Sequence, residues 1–198
     1  MLHKRRWIKA ITGALVLCLL GSVMSVHGQA QGVREGVVRL HVLANSDSTA
    51  DQTVKLQVRD AVTAAAAGWL DGAADAEDAL AMAQVQLPRI REAAQEAVAA
   101  AGADYPVKVE TVRMYFTTRQ YDTYTLPAGM YDAVRVTLGE GKGQNWWCVV
   151  YPPLCAGAAT DLSQALAPEE QELVEGGDRY EVRFKLVEWL ESFFQLFR

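Results

Sequence analysis

The chain has 198 residues, room for a leader and one ordinary domain, and its 51% hydrophobic and 22% charged residues exclude a largely disordered polypeptide. The formal net charge is −5, but residues 1–30 carry Lys4, Arg5, Arg6 and Lys9 and no acid, so the remainder holds 15 basic against 24 acidic residues, a net of −9. A domain this acidic repels phosphate backbones and anionic lipid, which argues against nucleic acid as a partner.

Residues 1–9 are basic, residues 10–24 are apolar apart from Thr12 and Ser22, and Ser25-Val26-His27-Gly28-Gln29-Ala30 is small and polar. This is the three-part order of a secretory signal, with Gly28 and Ala30 at the small-residue positions before a cut. The apolar run falls short of the roughly 20 residues that span a bilayer, so an uncleaved anchor is the second reading. Cys18 follows Leu17, where a lipid-attachment site wants a small residue, and reads as filler of the apolar run.

Over 37–44, Val38, Leu40, Val42 and Ala44 share one face and Val37, Arg39, His41 and Leu43 the other, the pattern of a central strand. Asn45-Ser46-Asp47-Ser48 supplies turn formers, and Ser48 with Asp51 three residues on fits a capping box. Val54, Val58, Ala61, Val62, Ala65 and Trp69 recur at helical spacing with Lys55, Gln57, Arg59 and Asp60 turned outward, which predicts a helix over 49–67. A two-glycine loop at 68–74 follows. Leu80, Ala83, Leu87, Ile90, Ala94, Val98 and Ala101 continue a three-four spacing, and Pro88 predicts two helices or a kink at Leu87-Pro88.

Residues 106–116 turn to Val, Thr, Tyr and Phe, a second strand, and 117–129 is a polar and aromatic connection. Residues 130–138 alternate apolar and polar, and the Gly139-Glu140-Gly141-Lys142-Gly143 run then leads into Asn145-Trp146-Trp147-Cys148-Val149-Val150-Tyr151. This predicts a hairpin whose second strand is closed by Pro152-Pro153. The order β-α-α-β-β-β argues an α+β fold, a mainly antiparallel sheet of about four strands with helices on one face.

Residues 156–177 read as an acidic linker in which Pro168-Glu169-Glu170 looks like a helix start. After Gly176-Gly177, residues 178–198 carry Val182, Leu186, Leu190, Phe193 and Phe197 along one side of an amphipathic helix, with Trp189, Phe194 and Leu196 broadening it and Glu181 four before Lys185. Packing on the open sheet face is the first expectation for this helix, a protein contact the second and membrane binding the third, since its polar face is not basic. The predicted organisation is a leader at 1–30, a domain core at 31–155, the linker, and the C-terminal helix packed on or extending the core.

Several segments together carry a family resemblance: Val38-Arg39-Leu40-His41-Val42-Leu43-Ala44-Asn45-Ser46-Asp47-Ser48, Asp51-Gln52, Lys55-Leu56 with Val58-Arg59-Asp60-Ala61-Val62, Leu126-Pro127-Ala128-Gly129, the 139–155 run, and Val182-Arg183-Phe184-Lys185-Leu186-Val187-Glu188-Trp189. In this order they resemble the stage II sporulation protein R family, across nearly all of the chain after the leader. The resemblance implies a secreted signal of endospore-forming bacteria, made in the forespore and exported to the space between forespore and mother cell. There it would activate a mother-cell membrane aspartic protease, the GA protein of sporulation stage II, which removes the pro-sequence from sigma-E. On this reading the chain is a binding protein and not an enzyme, with no cofactor and no small-molecule substrate.

The residues themselves offer rival chemistry. His41 is the one histidine after the leader, so a histidine-rich metal site and a two-histidine mechanism are excluded. A relay of Ser46 or Ser48 with His41 and Asp47 requires side chains on one strand and turn to converge, which neighbours this close rarely do. Asn45, Asp47 and Asp51 offer cation ligands but lack the twelve-residue loop with its terminal glutamate. The glycine run matches neither a P-loop nor a dinucleotide fingerprint. Cys148 and Cys155 form a disulfide or remain buried thiols, and a Cys148–His41 dyad is the thiol version of the relay. Adjacent Trp146 and Trp147 must point to opposite sides of a sheet, which leaves one indole for a helix, a partner or solvent. The candidate contact set is Asn45, Ser46, Asp47, Asp51, Lys142, Asn145, Trp146, Trp147 and Trp189. The rivals to a binding signal are an extracytoplasmic hydrolase built on His41 with a serine or cysteine, and a structural envelope protein.

Overall fold

A computed structural model describes residues 2–68, 70, 72–121, 124–152 and 166–175. Helix α1 (Leu2–Glu35) is followed by β1 (Val38–Leu43), α2 (Thr49–Ala67), α3 (Ala76–Ala100), β2 (Val107–Phe116), β3 (Arg119–Gln120), β4 (Thr125–Leu126), β5 (Gly129–Leu138), β6 (Asn145–Tyr151) and α4 (Pro168–Glu175). The fold mixes helices with a mainly antiparallel four-stranded sheet, ordered β2-β5-β1-β6. The connection expected over 117–129 contains a small hairpin, β3 paired with β4. Trp69, Trp189, Cys155 and the predicted C-terminal helix lie outside the described residues.

The chain divides into two compact units. One comprises residues 1–33, 117–128 and 168–198. Within it, α1 runs unbroken past Ala30, and Gly32 lies so close to Glu170 of α4 that a Cβ on it would meet that carboxylate. Among the described residues no helix is long and apolar enough to cross a membrane.

The other unit, 34–116 with 129–167, holds the sheet and helices α2 and α3. The sequence leads one to expect β5 and β6 as a hairpin, and the structure corrects this. β1 lies between them, parallel to β5 through Leu40 opposite Val134 and antiparallel to β6 through Leu40 opposite Cys148. The physical reason lies in β1 itself, which is buried on both faces from Val38 to Val42. A strand with no solvent on either face needs both of its edges paired. The glycine-rich connection spans the width of one intervening strand, two strand spacings or roughly 10 Å.

Val38, Leu40, Val42, Val134, Val136, Leu138, Cys148 and Val150 form the sheet side of the core, and Val54, Val58, Val62, Ala79, Ala83, Ile90, Ala94 and Val98 form its helix side. Pro88 does not break α3, which is one continuous helix. Its ring is exposed, so the amide bond it removes lies on the solvent side, while buried Ala79 and Ala83 before it and Ile90, Ala94 and Val98 after it hold both halves on the same core.

A candidate interaction rim at the end of the central strand

The turn after β1, the start of α2 and the connection from β5 to β6 meet at one end of the sheet. Ser48 caps α2, its Oγ accepting from the Asp51 amide at 3.1 Å. Only this half of the predicted capping box forms. The Asp51 carboxylate turns back instead, accepting from Asn45 Nδ2 at 2.9 Å and from Ser46 Oγ at 2.5 Å. These bonds, the one from Ser46 first, hold its pKa below the usual carboxylate range. The nearby Tyr105 hydroxyl is pushed up to about 12, chiefly by burial and then by the Asp51 charge.

The 139–144 connection crosses over this turn and is bonded to it throughout. Glu140 N donates to Asn45 Oδ1 (2.9 Å), Lys142 N to Asn45 O (3.1 Å), Gly143 N to Ala44 O (2.9 Å) and Gln144 N to Asp47 Oδ1 (2.8 Å). Two glycines have specific reasons. Gly141 has φ +62°, and a Cβ on Gly143 would sit 2.2 Å from Ser46 O, so a side chain there forces the two loops apart.

Lys55, expected to face outward, is buried. Its Nζ donates to Gln52 Oε1 (2.5 Å) and to Gln144 O (3.2 Å), and burial lowers its pKa. Asp47, Glu140, Lys142, Gln144 and Asn145 stand exposed along the rim. Glu140 and Lys142 form an exposed ion pair of 2.7 Å.

The two indoles part as alternation requires. Trp146 packs beside the helix-covered core with the Arg59 guanidinium 4.4 Å above its ring. Trp147 lies on the second face, edge-on to Phe116 (5.3 Å between centroids) and His41 (6.3 Å). His41 is buried there, with Nε2 hydrogen-bonded to Asn145 Oδ1. Desolvation pulls its pKa down and Arg135 and Arg39 add to this, while the Asn145 bond opposes it. Arg39 was not singled out from sequence, yet it is fully buried, 4.2 Å from the Phe116 ring centre and 5.1 Å from that of Tyr131. A cation on a strand flanked by apolar residues was the available signal.

The structure thus brings Asn45, Ser46, Asp47, Asp51, Lys142 and Asn145 to one rim, with Trp147 beside it on the second face and Trp146 on the opposite one. It does not assemble the rival relays among the described residues. Ser46 donates to Asp51, Ser48 caps a helix, and His41 engages Asn145. Cys148 is disulfide-bonded and lies in the core on the helix-covered face of the sheet, the face opposite His41. No group of three or more histidine, cysteine or acidic side chains is placed to hold a metal among the described residues.

Residues 34–161 match the family described as stage II sporulation protein R. Over a 212-residue alignment the chain is 33% identical to stage II sporulation protein R of Bacillus subtilis (strain 168), covering 93% of each chain. No solved structure matches. The matched span contains the whole four-stranded sheet and the rim, and the chain belongs to the stage II sporulation protein R family.

Proposed function

We propose that this protein is an exported sporulation signal that activates, by binding, the mother-cell membrane aspartic protease of sporulation stage II, the GA protein, and so triggers processing of pro-sigma-E. Residues 1–30 serve as its secretory signal, and it acts in the space between forespore and mother cell. The observation that carries the binding role is the rim: Ser46, Ser48 and His41 are engaged by Asp51, the α2 amide and Asn145, and bonds to Ala44, Asn45 and Asp47 fasten the 139–144 connection over the turn. Such cross-bracing lowers the ordering cost of an interface, and activation follows if the rim binds the active form of the protease more tightly than the inactive one. Asn45, Ser46, Asp47, Asp51, Lys142, Asn145, Trp146 and Trp147 supply the contact, with Trp189 from the C-terminal segment.

Co-expression of the chain, the protease and the precursor in a non-sporulating host tests this reading. Processing should require both proteins and should persist with His41→Ala. Processing without this chain, or its loss in a folded His41→Ala protein, contradicts the reading.

A further inference from the structure

β2 is an edge strand ten residues long, and its backbone shows which of its groups face outward. The carbonyl of Pro106 accepts from Gly139 N on the β5 side, at 2.9 Å, whereas the Val107 amide turns away from β5 and donates to Gln95 Oε1 at 3.1 Å. In an antiparallel ladder the N–H and C=O of one residue point to the same side and alternate along the strand. Val109, Thr111 and Arg113 therefore direct their N–H and C=O groups away from β5, and no hydrogen bond engages them among the described residues.

Gln95 shows what chemistry this edge takes. Its side-chain amide donates from Nε2 to Tyr105 O (3.2 Å) while Oε1 accepts from Val107 N, so it occupies the first position as one peptide group of a neighbouring strand would. Beyond it, at Val109, Thr111 and Arg113, the edge runs beside α3. At the start of this edge a groove of about 720 Å³ lies between α3 and Pro106–Val107, lined also by Pro88, Arg91, Glu92, Gln95 and Glu96. Farther along, Gln84 Nε2 reaches Thr111 Oγ1 at 3.5 Å, and the next residue, Val85, is 76% exposed. Residues 85, 88, 92, 95 and 99 repeat at intervals of three and four, which places them on one stripe of α3.

We infer that the β2 edge is a docking site for an extended segment of a partner protein, which adds a fifth strand beside Val109–Arg113 with α3 as its side wall. Backbone pairing supplies the affinity, and the incoming side chains opposite Val109, Thr111 and Arg113 fall on the α3 side, toward Val85 and Pro88. The wall sets Glu92 and Glu96 against the single cation Arg91, so it disfavours acidic side chains and suits a segment free of them, with apolar residues at alternate positions. A second copy of this chain suits it less, because two domains of net charge −9 repel. The inference goes beyond the activation reading and holds whichever protein supplies the strand.

The test uses the purified full chain and a neutral octapeptide of alternating valine and threonine as the probe, followed by residue-resolved amide exchange. Saturating peptide should slow exchange at Val109, Thr111 and Arg113 at least tenfold and leave Glu110 and Val112, already paired to β5, unchanged. Thr111→Pro deletes an outward N–H while sparing the β5 ladder, and should weaken the peptide at least tenfold; Thr111→Val, which keeps the N–H, should bind as the unaltered chain does. Any of four results overturns the inference. These are outward amides as slow as Glu110 without peptide, no protection at millimolar peptide, equal affinity for Thr111→Pro, or protection that arises from self-association alone.

Discussion

The Asp51 carboxylate accepts from Asn45 Nδ2 at 2.9 Å, so the first turn of α2 is tied to the second residue past the central strand. The same oxygen takes the Ser46 hydroxyl. Asp51→Ala removes both bonds and leaves two donors without their partner, a loss of about 1–3 kcal/mol that urea denaturation will read as a lower midpoint at unchanged slope. The folded-state pKa of Asp51 is depressed, so its contribution is present above the unfolded value and lost as pH falls through the folded one. Asp51→Asn should therefore flatten the acid limb of the stability curve below about pH 4.

Gly143→Ala should be the most damaging conservative change in the rim. The added methyl meets the backbone of Ser46, which cannot swing aside as a flexible side chain can. A cost of about 1–3 kcal/mol is expected, together with faster amide exchange at Lys142 and Gln144, whose bonds to Asn45 and Asp47 are disturbed.

Much of this fold was legible in the sequence because local rules governed it. The bounds of α2 follow from the Ser48 cap and the spacing of Val54, Val58 and Val62, and α4 begins at Pro168, where the acids that follow favour a helix start. The failures share one cause: the residues concerned answer to partners distant in sequence. The glycine connection has hairpin chemistry, but it arches over β1 because that buried strand takes β5 and β6 on its two edges. Lys55 has the spacing of an outward cation and is drawn inward by the Gln144 carbonyl, 89 residues away. The nominated rim residues lie close together because turn formers collect at strand ends, whereas buried Arg39 is stabilised by rings from β2 and β5 that its own segment does not contain.

His41 gives a pH signature of opposite origin. Burial lowers its folded pKa, so below the ordinary value of about 6.5 the unfolded chain binds more protons than the folded one. Stability should decline as pH falls from about 6.5 toward the folded value and change no further on this account below it. His41→Gln should abolish that decline, which thermal melts across pH 5–8 will show.

Arg39 and Phe116 should be energetically coupled. Over a buried ring a guanidinium contributes about 2 kcal/mol, so a double-mutant cycle with Arg39→Met and Phe116→Leu should give a coupling energy of about 1–2 kcal/mol. Strict additivity would mean that the ring and the guanidinium are merely adjacent.

The most direct measurement of the activation mechanism is co-purification of this chain with the detergent-solubilised membrane protease, with precursor cleavage followed in the same preparation. The account predicts a saturable complex, cleavage that rises with its occupancy, and parallel loss of both in Gly143→Ala while His41→Ala retains both. Cleavage stimulated at amounts of this chain far below those of the protease, with no complex formed, would contradict it.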